Sequence, residues 1–114
     1  NATKIAPEFS ISKQIELTDL AFAHECGFKT ILCFRPDDEE SDQTSFFEIA
    51  AAARRYEIAS FHIPVVPDQI ASNHLDQFAR IMAAAQKPVL AYCRTGKRAE
   101  LLWQKFTTIH PPQS

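Results

Sequence analysis

One stretch near the carboxyl end of the chain decides the fold, PVLAYCRTGKR at residues 88–98. Its first half, Pro88 to Tyr92, is continuously apolar and predicts a strand buried on both faces. The chain then turns at Gly96, and apolar residues at helical spacing predict a helix from Lys97 to about Phe106. A buried strand that passes through a short loop into a helix is typical of α/β proteins.

The rest of the chain alternates in the same way between short apolar runs and amphipathic helices. Three more strands are predicted, at Phe9 to Ile11, Thr30 to Phe34 and Ile58 to Val65. Helices are predicted from Leu17 to Cys26, from Phe46 to about Tyr56, and after a cap at Ser72 or Asn73. The predicted inner face of the last helix consists of Leu101, Leu102 and Phe106. We therefore predict an α/β, three-layer fold, a mainly parallel four-stranded sheet flanked by helices, in a single domain over residues 1–114.

Composition excludes several classes of protein. The chain has 114 residues, of which 46% are apolar and 23% charged, as in ordinary globular domains. The net charge of −2 and the absence of a basic cluster argue against a nucleic-acid partner. No apolar run approaches the roughly 18 residues that cross a membrane, and no secretory signal pattern is present. We expect a cytoplasmic protein that has no membrane partner.

The chain ends and the cysteines give further expectations. We interpret residues 1–2 as a candidate tag remnant and residues 110–114 as a linker, so the chain reads as a domain cut from a longer protein. Cys26 and Cys33 lie among apolar residues and are predicted to be small core residues. The cysteines, histidines and carboxylates match no metal-ligand spacing, so we predict neither a metal nor a cofactor.

Cys93 differs from the other cysteines because of its neighbours. It leaves a buried strand and enters the turn that opens a helix, where unpaired amide N–H groups bind anions. Gly96 allows a tight bend around such an anion, and Arg98 offers a planar, charged fork for two oxygens. The same positive field favours the thiolate, which makes Cys93 the predicted nucleophile. The residues predicted to bind the anionic substrate are Arg94, Thr95, Gly96 and Lys97.

Five segments in order along the chain carry a resemblance to a known family. They are FSISKQI at residues 9–15, GFKTI at 27–31, RPD at 35–37 with Glu39 and Glu40, HIPV at 62–65, and AYCRTGKR at 91–98. Together they resemble the phosphatase-like domains of beta-lactamase-hydrolase-like proteins, a bacterial branch of the protein tyrosine and dual-specificity phosphatase fold. The resemblance implies that fold and a cysteine site. It leaves the reaction open, because members have been described both as phosphatases and as sulfurtransferases.

The length of the cysteine loop favours sulfur transfer slightly. Phosphatases of this fold place five residues between the cysteine and the arginine, whereas only four separate Cys93 from Arg98. Ala99 lacks the hydroxyl that commonly follows the arginine, and Tyr92 replaces the common histidine. The shorter loop resembles that of rhodaneses and suits a persulfide on Cys93. The substrate is then a small anion, either a sulfane sulfur donor or a phosphate ester.

The phosphatase alternative needs a general acid, and Asp68 is the candidate. It follows the third predicted strand close to the place where the dual-specificity enzymes carry theirs. A turn residue after Pro67 explains Asp68 equally well. Asp37 is the second choice, although the acidic run Asp37 to Glu40 reads better as a solvated loop that favours the next helix. Arg35 is expected to line the site or to pair with those acids.

A third class of function stays open beside the two enzymatic ones. The domain could be a non-catalytic anion sensor or a regulatory module. The family resemblance implies fusion to, or action with, a redox or hydrolase domain of sulfur metabolism.

Overall fold

Over residues 2–111 the fold is built from nine elements, two strands followed by helices and strands in alternation. The computed structural model describes residues 2–111, so residue 1 of the predicted remnant and residues 112–114 of the predicted linker lie outside the described residues. The strands are β1 Thr3–Ala6, β2 Phe9–Ser12, β3 Thr30–Cys33, β4 Ala59–His62 and β5 Val89–Tyr92. The helices are α1 Asp19–Glu25, α2 Phe46–Arg54, α3 Ser72–Ala84 and α4 Lys97–Ile109.

The strands form one sheet in the order β1-β2-β5-β3-β4. Strands β2, β5, β3 and β4 are parallel, which confirms the predicted mainly parallel sheet. The count of four is nevertheless wrong, because β1 pairs antiparallel with β2 as a fifth strand at the edge. Thr3 and Lys4 are exposed in that strand, so its sequence lacks the apolar run by which the buried strands were found.

The two faces of the sheet carry separate cores, which confirms the three layers. Apolar residues of α3 and α4, among them Phe78 and Leu102, pack on the face that contains Leu32 and Ala91. Those of α1 and α2 pack on the other face, around Ile31, Leu90 and Tyr92. The core helices thus cover a sheet whose central strands β3 and β5 are buried at every position.

Two residues predicted to be buried are exposed. Cys26 is solvent-exposed, whereas Cys33 is buried as predicted. Cys26 caps the end of α1, beyond the inward residues Leu20 and Ala23, in the turn that leads to β3. Leu101 is 41% exposed because α4 packs on the sheet through Ala99 and Leu102. Leu101 precedes Leu102 and therefore points about 100° away from it around the helix axis.

The parallel topology brings the predicted functional residues to one edge of the sheet. Arg35 follows β3, Cys93 follows β5, and Asp68 lies in the segment after β4. The carboxyl ends of parallel strands meet at this edge, which is where ligands bind in open α/β sheets. Within residues 2–111, no helix combines the length and the apolar character needed to cross a membrane.

Candidate active site

The cysteine loop links β5 to α4, and Gly96 shapes it. Gly96 caps the start of α4 with φ of 96°, a left-handed conformation that other residues rarely adopt. Its backbone N–H donates to Cys93 Sγ over 3.1 Å. The N–H of Cys93 itself donates to Ser12 O of β2 over 3.4 Å. The backbone of the loop therefore directs an N–H donor at the sulfur.

Cys93 lies at the floor of the loop, with no solvent-exposed surface. The side chains of Arg94, Thr95 and Lys97 above it are exposed, and Thr95 Oγ1 accepts from the N–H of Lys97 over 3.3 Å. The loop thus presents cations to solvent and keeps its sulfur beneath them. An anion drawn into the loop approaches the sulfur through this positive field.

Arg98 is buried and forms an ion pair with Glu39. Its Nη1 donates to Glu39 Oε2 over 2.7 Å and its Nη2 to Glu39 Oε1 over 2.9 Å. Nη1 also donates to Val65 O, over 2.9 Å. A guanidinium has five N–H donors, so this end-on pairing leaves the edge formed by Nε and Nη2 for a second ligand. That edge matches two oxygens of one tetrahedral anion.

Arg35 holds Glu39 from the other side. It is 2% exposed and donates through Nε to Glu39 Oε1 over 2.9 Å, through Nη1 to Gln14 Oε1 over 2.8 Å and through Nη2 to Glu40 Oε1 over 2.7 Å. Partial burial alone would raise the pKa of Glu39, but the guanidinium groups of Arg98 and Arg35 hold that pKa below its usual range. Glu39 therefore remains ionised and fixes the position of Arg98.

The acidic run Asp37 to Glu40 was interpreted as a solvated loop, which is correct for Asp37 and wrong for Glu39. Asp37 Oδ1 accepts from the N–H of Phe46, the first residue of α2, over 2.8 Å, so it favours the start of that helix as expected. Glu39 instead pairs with two buried arginines. Its ion pair with Arg35 is one of the two roles expected of that arginine, whereas its ion pair with Arg98 was not predicted. The expectation for Arg35 has a physical basis, because an arginine that directly follows a buried strand needs carboxylate partners.

Asp68 occupies a tight turn beside the loop. The N–H of Gln69 donates to Val66 O over 3.0 Å, with Pro67 and Asp68 as the two central residues and Asp68 at φ of 64°. These are the features of a type II turn, so the structural interpretation of Asp68 is correct. The turn also brings Asp68 into a cavity of about 510 Å³ that it shares with Arg94, Thr95, Lys97 and Arg98. Asp37 does not line this cavity.

Two neighbours of the loop serve the fold. Tyr92 is 1% exposed and belongs to the core on the α1–α2 face, and burial raises the pKa of its hydroxyl. His62 stacks on Phe46 with ring centroids 4.6 Å apart, and its Nε2 bonds with Arg35 O over 2.8 Å. Neither ring lines the cavity.

Residues 2–108 match the family described as the phosphatase-like domain of beta-lactamase hydrolase-like protein. The chain belongs to this family. The phosphatase-like domain is 35% identical over 77 residues to the beta-lactamase hydrolase-like protein of Xylella fastidiosa Temecula1, covering 68% of the chain and 18% of that protein. Its identity to the Agrobacterium fabrum protein of the same name is 32% over 102 residues, covering 90% and 24%. The domain therefore spans less than a quarter of these curated relatives.

A solved structure agrees with the fold. A protein from Neisseria meningitidis Z2491, described as a candidate phosphatase, superposes with a TM-score of 0.87 at 34% identity, covering 96% of the phosphatase-like domain and 78% of its own chain. The predicted family and the phosphatase-like fold are thus confirmed. The relationship supports the phosphatase alternative more than the sulfur transfer that loop length favoured.

Proposed function

We propose that the phosphatase-like domain hydrolyses phosphate monoesters, with Cys93 as the nucleophile. The observation that carries the proposal is the shared cavity, where Asp68 joins Arg94, Thr95, Lys97 and Arg98. A loop lined by cations can bind the dianionic phosphoryl group, and a carboxyl group beside the loop can protonate the leaving oxygen.

In the first step, Cys93 Sγ attacks phosphorus as a thiolate. The S–P bond forms while the bond from phosphorus to the ester oxygen breaks. The protonated carboxyl of Asp68 gives its proton to that oxygen, so the alcohol leaves neutral. The free edge of Arg98, formed by Nε and Nη2, holds two of the equatorial oxygens as charge develops on them.

In the second step, water hydrolyses the phosphocysteine. The Asp68 carboxylate accepts a proton from the water as its oxygen bonds to phosphorus, and the S–P bond breaks. Inorganic phosphate leaves and the thiolate is restored, stabilised by the N–H of Gly96. Glu39 acts only through Arg98, which makes it a positioning residue.

Sulfur transfer is the second candidate, because only four residues separate Cys93 from Arg98 and no hydroxyl follows the arginine. Ala99 in that place is fully buried in the core with Leu102. In this version the Cys93 thiolate attacks the outer sulfur of thiosulfate, the S–S bond of the donor breaks and sulfite leaves. Cyanide then takes the outer sulfur of the Cys93 persulfide, which releases thiocyanate and restores the thiolate.

A side-by-side assay separates the two. Wild type is incubated with an aryl phosphate or with thiosulfate and cyanide, and phosphate and thiocyanate are measured. We expect phosphate release that falls to background in Cys93→Ser and persists in Cys26→Ser, because Cys26 is exposed at the end of α1 and does not belong to the cysteine loop. Thiocyanate formation without phosphate release would contradict the proposed hydrolysis and support sulfur transfer. Binding of phosphate with no turnover of either substrate would make the domain an anion sensor.

A further inference from the structure

The cavity beside the cysteine loop extends along helix α4. Arg98, Leu101 and Lys105 all line it, and their spacing of three and four residues places them on one stripe of the helix. The two cations are seven positions apart, which corresponds to about 10 Å along the helix axis. Leu101 lies between them with 41% of its surface exposed, and Ile70 adds a second apolar side chain to the same cavity.

Lys105 has no carboxylate partner among residues 2–111, where the ion pairs involve Arg35, Arg94 and Arg98. The residues four positions away on its helix, Leu101 and Ile109, are uncharged. Because Cα–Cβ bonds of a helix tilt toward its N-terminus, the stem of Lys105 leans toward the cysteine loop. The cavity therefore has anion-binding groups at one end, an unpaired ammonium group at the other, and apolar surface between them.

We propose that the site prefers phosphate monoesters whose alcohol part is a short apolar chain ending in a second anionic group. This inference rests on the proposed phosphatase function and names its substrate class. The phosphoryl group occupies the loop, the hydrocarbon contacts Leu101 and Ile70, and the second anion pairs with Lys105. A cavity of about 510 Å³ lies within the range of small-ligand sites.

The test compares two substrates that differ only in the second anion, the monophosphate and the bisphosphate of linear hexanediol. The measured quantity is the ratio of their kcat/KM values, corrected for the two equivalent ends of the bisphosphate. An ion pair at a partly exposed site gives a preference of about threefold to fivefold for the bisphosphate in wild type. We expect this ratio to fall to about one in Lys105→Ala and below one in Lys105→Glu. Lys29→Ala is the matched control and keeps the wild-type ratio, because the exposed Lys29 precedes β3 at the opposite edge of the sheet.

A binding arm keeps this inference separate from the proposed reaction. Dissociation constants of both compounds are measured by calorimetry in Cys93→Ser, with and without Lys105→Ala. Tighter binding of the bisphosphate that depends on Lys105, together with no turnover by wild type, would refute the phosphatase function. The inferred ligand class would still hold. A wild-type ratio of one, or a ratio that Lys105 variants do not change, would overturn the inference.

Discussion

The two sides of the cysteine loop differ in how their charges are balanced. On the side of the β3–α2 segment, Arg98 and Arg35 share Glu39, while Arg94 approaches Glu40 at 3.7 Å. On the side of α4, Lys97 and Lys105 have no ion-pair partner among residues 2–111.

The difference assigns the two sides separate tasks. Buried cations need fixed carboxylates, so the paired side sets the geometry of the loop and contributes to stability. Exposed cations without partners remain available to a ligand, so we assign substrate binding to the open side in the proposed function. Substitutions on the paired side should therefore change folding and catalysis together, whereas those on the open side should change catalysis or specificity alone.

The largest expected effect comes from breaking the paired side with Glu39→Gln. This change leaves Arg35 and Arg98 without their shared carboxylate, and we expect the free energy of unfolding to fall by about 3 kcal/mol. Urea denaturation followed by circular dichroism measures it. Glu40→Gln is the matched control: Glu40 is 50% exposed, and its loss should cost less than about 1 kcal/mol. Equal losses in the two variants would contradict the distinct role of Glu39.

A second substitution, Asp68→Asn, tests the open side, because Asp68 lines the same cavity as Lys97 and Lys105. We expect kcat for a phosphate ester with a poor leaving group to fall about 100-fold, because the leaving oxygen loses its proton donor. The free energy of unfolding should change by less than about 0.5 kcal/mol, since asparagine also tolerates the positive φ of this turn. Aryl phosphates with good leaving groups should show a smaller loss. An equal loss of kcat for good and poor leaving groups would show that Asp68 is only a turn residue and not the proton donor.

The pH dependence of stability gives the smallest of these effects. The pKa of Glu39 is lowered in the folded protein, so its contribution to stability is present above the unfolded value of about 4.3 and is lost as pH falls through the folded value. The difference in unfolding free energy between wild type and Glu39→Gln should therefore shrink as pH falls from neutral toward 3. Denaturant titrations at several pH values measure it. A difference that stays constant would show that Glu39 titrates normally.

Much of the fold could be predicted because its signals are local. The buried strands β3 and β5 read as apolar runs, and Gly96 with Cys93 marks a strand–loop–helix junction within a few residues. The exposed edge strand β1 lacks such a run and was missed. Cys26 and Leu101 were predicted to be buried and are exposed, because apolar character alone does not show whether a position in or next to a helix faces the core.

By itself, the sequence determined the alternation of strands and helices, the parallel sheet, and a cysteine loop with Arg98 at the start of α4. Each of these depends on residues that are neighbours along the chain. Only the tertiary structure decided which carboxylate holds Arg98, because Glu39 lies 59 positions away and meets it where β3 and β5 end at the same edge. Tertiary structure also brought Asp68 and Lys105 into one cavity. Ion pairs and cavities between distant segments depend on packing, which local sequence patterns do not record.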